Sequence, residues 1–378
     1  MGRPGNFPKG VVSQSSRKTA NSITQEVSMG RIRFESTESE VHFLNPMKEF
    51  NEDVQILEIR RDPLLGDTSV FNPELKDKAQ IFFGSCDQEL IDRLVEESAK
   101  TCFFCGDAVA KSTPRFMPDF SSEGRIRVGE ALLFPNLFSL GTYHPVIRLC
   151  DAHFLKLSEF TPELISNGFR AARQFISLAY DKDPKISHAA VSANYLFPAG
   201  ASLVHPHLQM IATPLPYSYQ ARMLAACSRW QSDHGSSYFV DLFTEEQGGP
   251  RYIGQKGRWH WLAPFSPLGN NEVMAIHEDT ADLHDLADDD LDNLAAGIAA
   301  VLRHYETLGH LSYNYALYSV RHEFDDGGFR LLLKVITRQN LYANYRNDDY
   351  FLQKLLQSEL IITPPEELAE QVRKHFKG

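Results

Sequence analysis

Two stretches of this chain repeat one another in kind. ALLFPNLFSLG (131–141) and WHWLAPFSPLG (259–269) each run as an apolar strand into a turn bearing Pro and Gly. A second short apolar run follows each, HPVIRLC (144–150) in one case and NEVMAI (271–276) in the other. A helical pattern comes next. In the first, Thr161 caps, Pro162 takes the first helical position, and Phe169, Ala172, Phe175, Ile176 and Ala179 form the apolar stripe. In the second, from Asp288 to Tyr305, the stripe is Leu291, Leu294, Ile298, Val301 and Leu302. Two further strands close each unit, at 189–197 and 204–216, then at 313–320 and 329–336. Strand, strand, helix, strand, strand, met twice, predicts an α+β protein of two halves, each an antiparallel sheet with packed helices.

The 378 residues, 43% of them hydrophobic, are enough for a large buried core in two packed units. A net charge of −11, with no long basic run, argues against nucleic acid as a partner, while a few arginines can still hold a small phosphorylated ligand. No apolar run reaches the roughly 20 residues needed to span a bilayer, so no membrane partner is expected. Five cysteines, an odd number with one close pair, suit a reducing compartment and a metal better than a disulfide framework, and the expected location is the cytoplasm. Residues 1–30, rich in Ser, Gly, Asn and Thr, read as a flexible arm.

The chemistry concentrates in HPHLQ (205–209). At period two, His205, His207 and Gln209 share one strand face, and the preceding PAGAS turn (198–202) can bring backbone N–H groups to an anion. Imidazole, imidazole and amide beside such a turn suit phosphate chemistry, although period alone would also allow both histidines to bind a metal, as in a hydrolase. Cys102 and Cys105 have the spacing of two thiolates on one tetrahedral zinc. Cys150, His153 and His205 are the candidates to complete the set, and spacing does not choose between Cys150 and His205.

EIRRDPLLGD (59–68), CFFC (102–105), LFPNLFS (133–139), the His153 region and NYLFPAGASLVHPHLQ (194–209) together resemble the galactose-1-phosphate uridylyltransferase family of the histidine-triad superfamily. The likeness covers 55–376 in outline and is specific over 100–215. It implies two histidine-triad-like halves: a catalytic half with a zinc site over 31–215, and a degenerate half with a C-terminal helix over 216–378. It implies one structural zinc ion per chain on Cys102, Cys105, His153 and His205, with Cys150 left as a core thiol. His207 becomes the nucleophile and Gln209 its catalytic partner. Arg60, Arg61, Asn136, Asn194 and Ser202 become substrate contacts. The implied activity moves a nucleoside monophosphate, UMP or AMP, between a nucleotide-sugar and a hexose 1-phosphate or inorganic phosphate, by way of a nucleotidyl-histidine, in a homodimer. A hydrolase of nucleotide conjugates and a non-catalytic nucleotide-binding protein are the alternatives.

The chain departs from the family pattern twice. Asn136-Leu137-Phe138 lacks the Asp of the nucleoside-contacting motif, so the likeness does not fix the base. The strand FRLLLKVITRQ (329–339) has no His, so no second metal is expected there. Lys334 and Arg338 on it either meet ligand or face solvent.

Overall fold

The computed structural model describes residues 24–27, 31–78 and 82–376. Most of the expected N-terminal arm lies outside them; Thr24–Val27 (β1) forms a strand. It pairs with Phe34–Asn45 (β2), which runs through a hairpin into Asn51–Arg61 (β3), and Thr68–Phe71 (β4) follows. The helix Gln88–Ala99 (α1) opens on Asp87, whose carboxylate accepts from the Leu90 N–H, and a short helix, Ala108–Ser112 (α2), follows the cysteine pair.

The first half then supplies Ile126–Val128 (β5), Ala131–Pro135 (β6), Pro145–Arg148 (β7), the helix Pro162–Lys182 (α3), His188–Tyr195 (β8) and His207–Thr213 (β9). Ser218–His234 (α4) and Tyr238–Glu246 (α5) lead to the second half. There Tyr252–Lys256 (β10), Trp259–Leu262 (β11), Val273–His277 (β12), the helix Asp288–Thr307 (α6), Tyr313–Val320 (β13) and Leu332–Thr337 (β14) repeat the plan. Phe351–Lys354 (α7), Ser358–Ile361 (β15) and Pro365–Phe376 (α8) end the described chain.

Among the described residues the two halves join edge to edge in one ten-stranded sheet, ordered β10-β11-β12-β14-β13-β8-β9-β7-β6-β5. Read outward from the β13–β8 seam, each half has the same order, and Ser192 lies opposite Ala316 at the centre of symmetry. The duplication extends to packing. A Cβ on Gly141 would meet Ile211 at 2.6 Å, and a Cβ on Gly269 would meet Ile336 at 2.9 Å, so each turn needs glycine at the same place against the same strand. The second sheet, β1-β2-β3-β4-β15, is tied to the C-terminal half by the parallel β4–β15 pair and a Ser69–Ser266 hydroxyl contact of 2.7 Å.

α3 and α6 lie side by side on one face of the large sheet. Their apolar stripes bury against Leu208, Met210, Ala193, Tyr195, Tyr315 and Leu333 in the main core. Fully burying such side chains gains about 1.5–3 kcal/mol each, and this face therefore fixes the register of the large sheet's central strands. The alternate residues, His207 and Gln209 among them, are left on the opposite face. No helix among the described residues is long and apolar enough to cross a membrane.

Candidate active site

On that opposite face a row of polar side chains crosses the middle of the sheet. Arg148 on β7 pairs with His207 on β9; one step beyond the Ala193–Leu208 pair brings Asn194 on β8 beside His207; and Asn194 pairs with Asn314 on β13. The Leu149 N–H donates to the Pro206 carbonyl, making Arg148 and His207 a non-hydrogen-bonded pair, the kind whose side chains lie closest.

The His207 Nδ1 sits 2.8 Å from the carbonyl of His205. A carbonyl can only accept, so the proton is on Nδ1 and Nε2 carries the free lone pair. Burial pushes the imidazole's pKa down, which keeps it neutral. Next along the strand, Gln209 accepts at Oε1 from the Nε2–H of His144, 2.9 Å away. Asn136 lies at the same corner, its Nδ2 3.4 Å from that Gln209 oxygen and its own oxygen accepting from the Phe138 N–H.

After Asn194 the backbone turns sharply. Leu196 has φ 65° and ψ 168°, a region that non-glycine residues occupy at a cost of about 1–3 kcal/mol, and Gly200 has φ 84°. Burial of Leu196 and the hydrogen bonds from the Ala199 and Ala201 N–H groups to its carbonyl hold this geometry. Ser202 is exposed just beyond Gly200.

A second cluster packs on the same face. The ligand atoms of Cys102, Cys105, His153 and His205 lie within 4.8 Å of one another. The Cys105 sulfur is 3.3 Å from His153 Nδ1 and 3.4 Å from His205 Nδ1, and Cys102 is 3.6 Å from His205 Nδ1. Tetrahedral zinc with two S and two N ligands has edges of roughly 3.3–3.8 Å. Both rings are turned correctly for it: His205 Nε2 donates to the Cys150 carbonyl at 2.9 Å, and His153 Nε2 meets the Ser98 hydroxyl at 2.9 Å. Burial and the neighbouring Cys102 push the Cys105 thiol up to about 11, so this thiol stays protonated unless a cation draws the proton off. Cys150 points into the main core instead, its thiol facing the Ala152 carbonyl. Of the two candidates that spacing left open, His205 lies in this cluster and Cys150 does not.

Phe104 links the two clusters. Its ring lies against His205, His207 and Phe134, and its carbonyl accepts from the Arg148 guanidinium at 3.2 Å. Arg148, 3% exposed, also pairs with Asp151 at 2.5 Å, and its Nε has no partner among the described residues. Sequence reasoning passed over Arg148; the signal was a lone arginine inside the apolar run HPVIRLC.

Two expected contacts are not brought to this row. Arg60 is 8% exposed and committed elsewhere, to Glu58 at 2.8 Å and Glu366 at 2.9 Å, with its guanidinium over the rings of Phe71 and Phe265. Arg61 donates to the Gly66 carbonyl and lines a cavity of about 540 Å³ with Arg31, Arg33 and Trp230. Lys334 neither faces solvent nor meets the row. It is buried against Glu272 at 2.7 Å, where the second half sets it in the place Gln209 holds in the first, and Leu332 stands where His207 would. Arg338 reaches Asn314.

No protein-family model matches the chain. An uncharacterized protein of Archaeoglobus fulgidus is 28% identical over 321 residues, 84% of this chain and 92% of that protein. An ADP-glucose phosphorylase from Arabidopsis thaliana, solved with bound ADP-glucose, superposes with a TM-score of 0.64 at 17% identity, over 84% of this chain and 99% of its own. A GalT-like protein from the same plant gives 0.63 at 18% identity, over 84% and 98%. A uridylyltransferase mutant gives 0.61 at 17%, over 84% and 98%. At these identities the likeness is one of architecture: the chain has the fold of the GalT-like proteins and uridylyltransferases, with two repeated halves sharing one sheet.

Proposed function

We propose that the chain is a nucleotidyltransferase or phosphorylase that transfers UMP or AMP between a nucleotide-sugar and a hexose 1-phosphate or inorganic phosphate through nucleotidyl-His207. The observation that carries this is the His207 Nδ1 contact with the His205 carbonyl, which leaves Nε2 as a neutral nucleophile between Arg148 and Asn194. The fold shared with an ADP-glucose phosphorylase and uridylyltransferases supports the nucleotide-sugar as substrate.

In the first displacement, the Nε2 lone pair forms a bond to the α-phosphorus, and the bridging P–O bond breaks with its electrons leaving on the sugar 1-phosphate. An acceptor phosphate oxygen then attacks the same phosphorus and the P–N bond breaks, returning neutral His207. A neutral imidazole adds no negative charge against the anionic substrate. Gln209 and Asn194 donate to the non-bridging oxygens, Ser202 and the 198–202 turn hold the neighbouring phosphate, and Asn136 contacts the nucleoside side. One such donor supplies about 3 kcal/mol of transition-state stabilisation.

Cys102, Cys105, His153 and His205 would hold one zinc ion, and with four protein ligands its role is structural. The residues tie the CFFC loop to the strand carrying His207 and so fix where the imidazole sits. The functional form of the reading is a homodimer, checked by the mass of the protein in solution.

Incubation with labelled ADP-glucose or UDP-glucose without acceptor tests the proposal. One equivalent of sugar 1-phosphate should be released per chain and one nucleotide retained on the protein. Continued turnover would make the protein a hydrolase, and no release at all would make it a binding protein.

A further inference from the structure

Two amides flank His207, and an amide can face a ligand with either its oxygen or its NH₂. Distance alone does not decide which, because the two ends have nearly the same shape. Here the neighbours decide. Arg338 has only donors to offer. Held by Asp348 at 2.8 and 2.6 Å, it donates from Nη1 to Asn314 Oδ1 at 2.5 Å. Asn314 must therefore turn its NH₂ the other way, where it donates to Asn194 Oδ1 at 2.7 Å and to the Ala199 carbonyl at 2.9 Å. With its oxygen engaged, Asn194 is left presenting NH₂.

The same logic runs from the other side. The Leu140 N–H donates to His144 Nδ1 at 2.9 Å, so His144 carries its proton on Nε2 and donates it to Gln209 Oε1. Gln209 is likewise left presenting NH₂. Neither amide nitrogen makes a hydrogen bond of its own among the described residues.

We infer that Asn314, Arg338 and His144 are positioning residues that lock Asn194 and Gln209 with both NH₂ groups toward the ligand, making the surroundings of His207 a donor-only cradle selective for acceptor-only phosphoryl oxygens. Two of the three, Asn314 and Arg338, come from the second half of the chain. That half, with leucine in the nucleophile's place, still sets the polarity of the first half's site. The inference rests on the proposed function only in taking His207 as the reacting centre.

The wiring makes an inverted prediction. Asn314→Asp is isosteric and keeps the contact with Arg338, but a carboxylate cannot donate to Asn194. Asn194 must then turn its NH₂ inward and show its oxygen to the phosphate. Asn314→Leu removes the hydrogen bonds but imposes no orientation. Titration calorimetry with ADP and UDP on the full chain should give at least about tenfold weaker binding for Asn314→Asp, and a smaller loss for Asn314→Leu. Arg338→Lys, which keeps a donor-only group, should stay near the wild type. In turnover the Asn314→Asp variant should lose kcat as well as gain KM, because the turned Asn194 no longer donates to the transition state. A purely structural role predicts the reverse order, the isosteric change mild and the leucine severe, and that order would overturn the inference. If the wild-type chain bound neither nucleotide, the functional reading would fail by itself. Pyrophosphate then becomes the probe, with the same order expected, and a wild type that bound no pyrophosphate would overturn the cradle too.

Discussion

His207 is hydrogen-bonded through Nδ1 to the carbonyl of His205, two residues back on its own strand, at 2.8 Å. One residue of the pair thus fixes the other's tautomer through backbone while its own ring joins the cysteine cluster. His207→Asn removes the proposed nucleophile and leaves the strand register untouched. Formation of labelled protein from nucleotide-sugar should fall by at least about a thousandfold, measured by retention of label after denaturation. Persistence of normal labelling would rule out His207.

The candidate metal cluster and the spare core thiol give opposite outcomes. Elemental analysis should find about one zinc per wild-type chain, and Cys102→Ser should lose it and lower stability by at least about 3 kcal/mol. Cys150→Ala should keep the metal and cost about 1 kcal/mol for the lost buried side chain. Loss of metal from the Cys150 variant would restore the CxxH reading of the site.

Arg60 is a structural strut in these surroundings. Its partners Glu58 and Glu366 are about 30% exposed, so solvent screens part of the pairing. Arg60→Met should lower stability by about 2–3 kcal/mol in urea unfolding, with the KM for nucleotide-sugar unchanged. A raised KM in a variant of normal stability would return Arg60 to the substrate.

Acid should destabilise the protein through α6 and α8. His304 is 3% exposed, neither ring nitrogen has a hydrogen-bond partner among the described residues, and its ring lies 5.4 Å from that of His375. Burial, helped by the nearby His375 and His310, pushes its pKa down to about 4. Between pH 6.5 and about 4 the unfolded chain binds a proton that the folded chain does not, so stability falls as pH drops through this window. The loss from this group approaches on the order of 3 kcal/mol. His304→Phe should flatten the dependence of unfolding free energy on pH there; an unchanged slope would assign the acid sensitivity elsewhere.

The doubled strand and helix plan was legible because helix stripes and apolar strands are local patterns, and so were Cys102, Cys105, His153 and the HPH face. What escaped depends on partners distant in the chain. Nothing near Arg60 announces Glu366, 306 residues away. The β2–β3 hairpin carries charged and apolar residues on exposed surface, with no buried face to impose a clean alternation. Arg148 looked like an interruption in a strand because its carbonyl partner, Phe104, comes from the cysteine loop. His144 and Asn314 acquire their orienting roles only through the amides they touch.

The seam between the halves is a strand pair bonded from Tyr195–Tyr313 to His188–Val320. Unlike a linker, it cannot serve as a hinge, since swinging the halves apart would rupture the backbone ladder along its whole length. On the proposed reading, traffic of substrate to and from His207 would therefore fall to the loops above the sheet, with the floor beneath them rigid through every turnover.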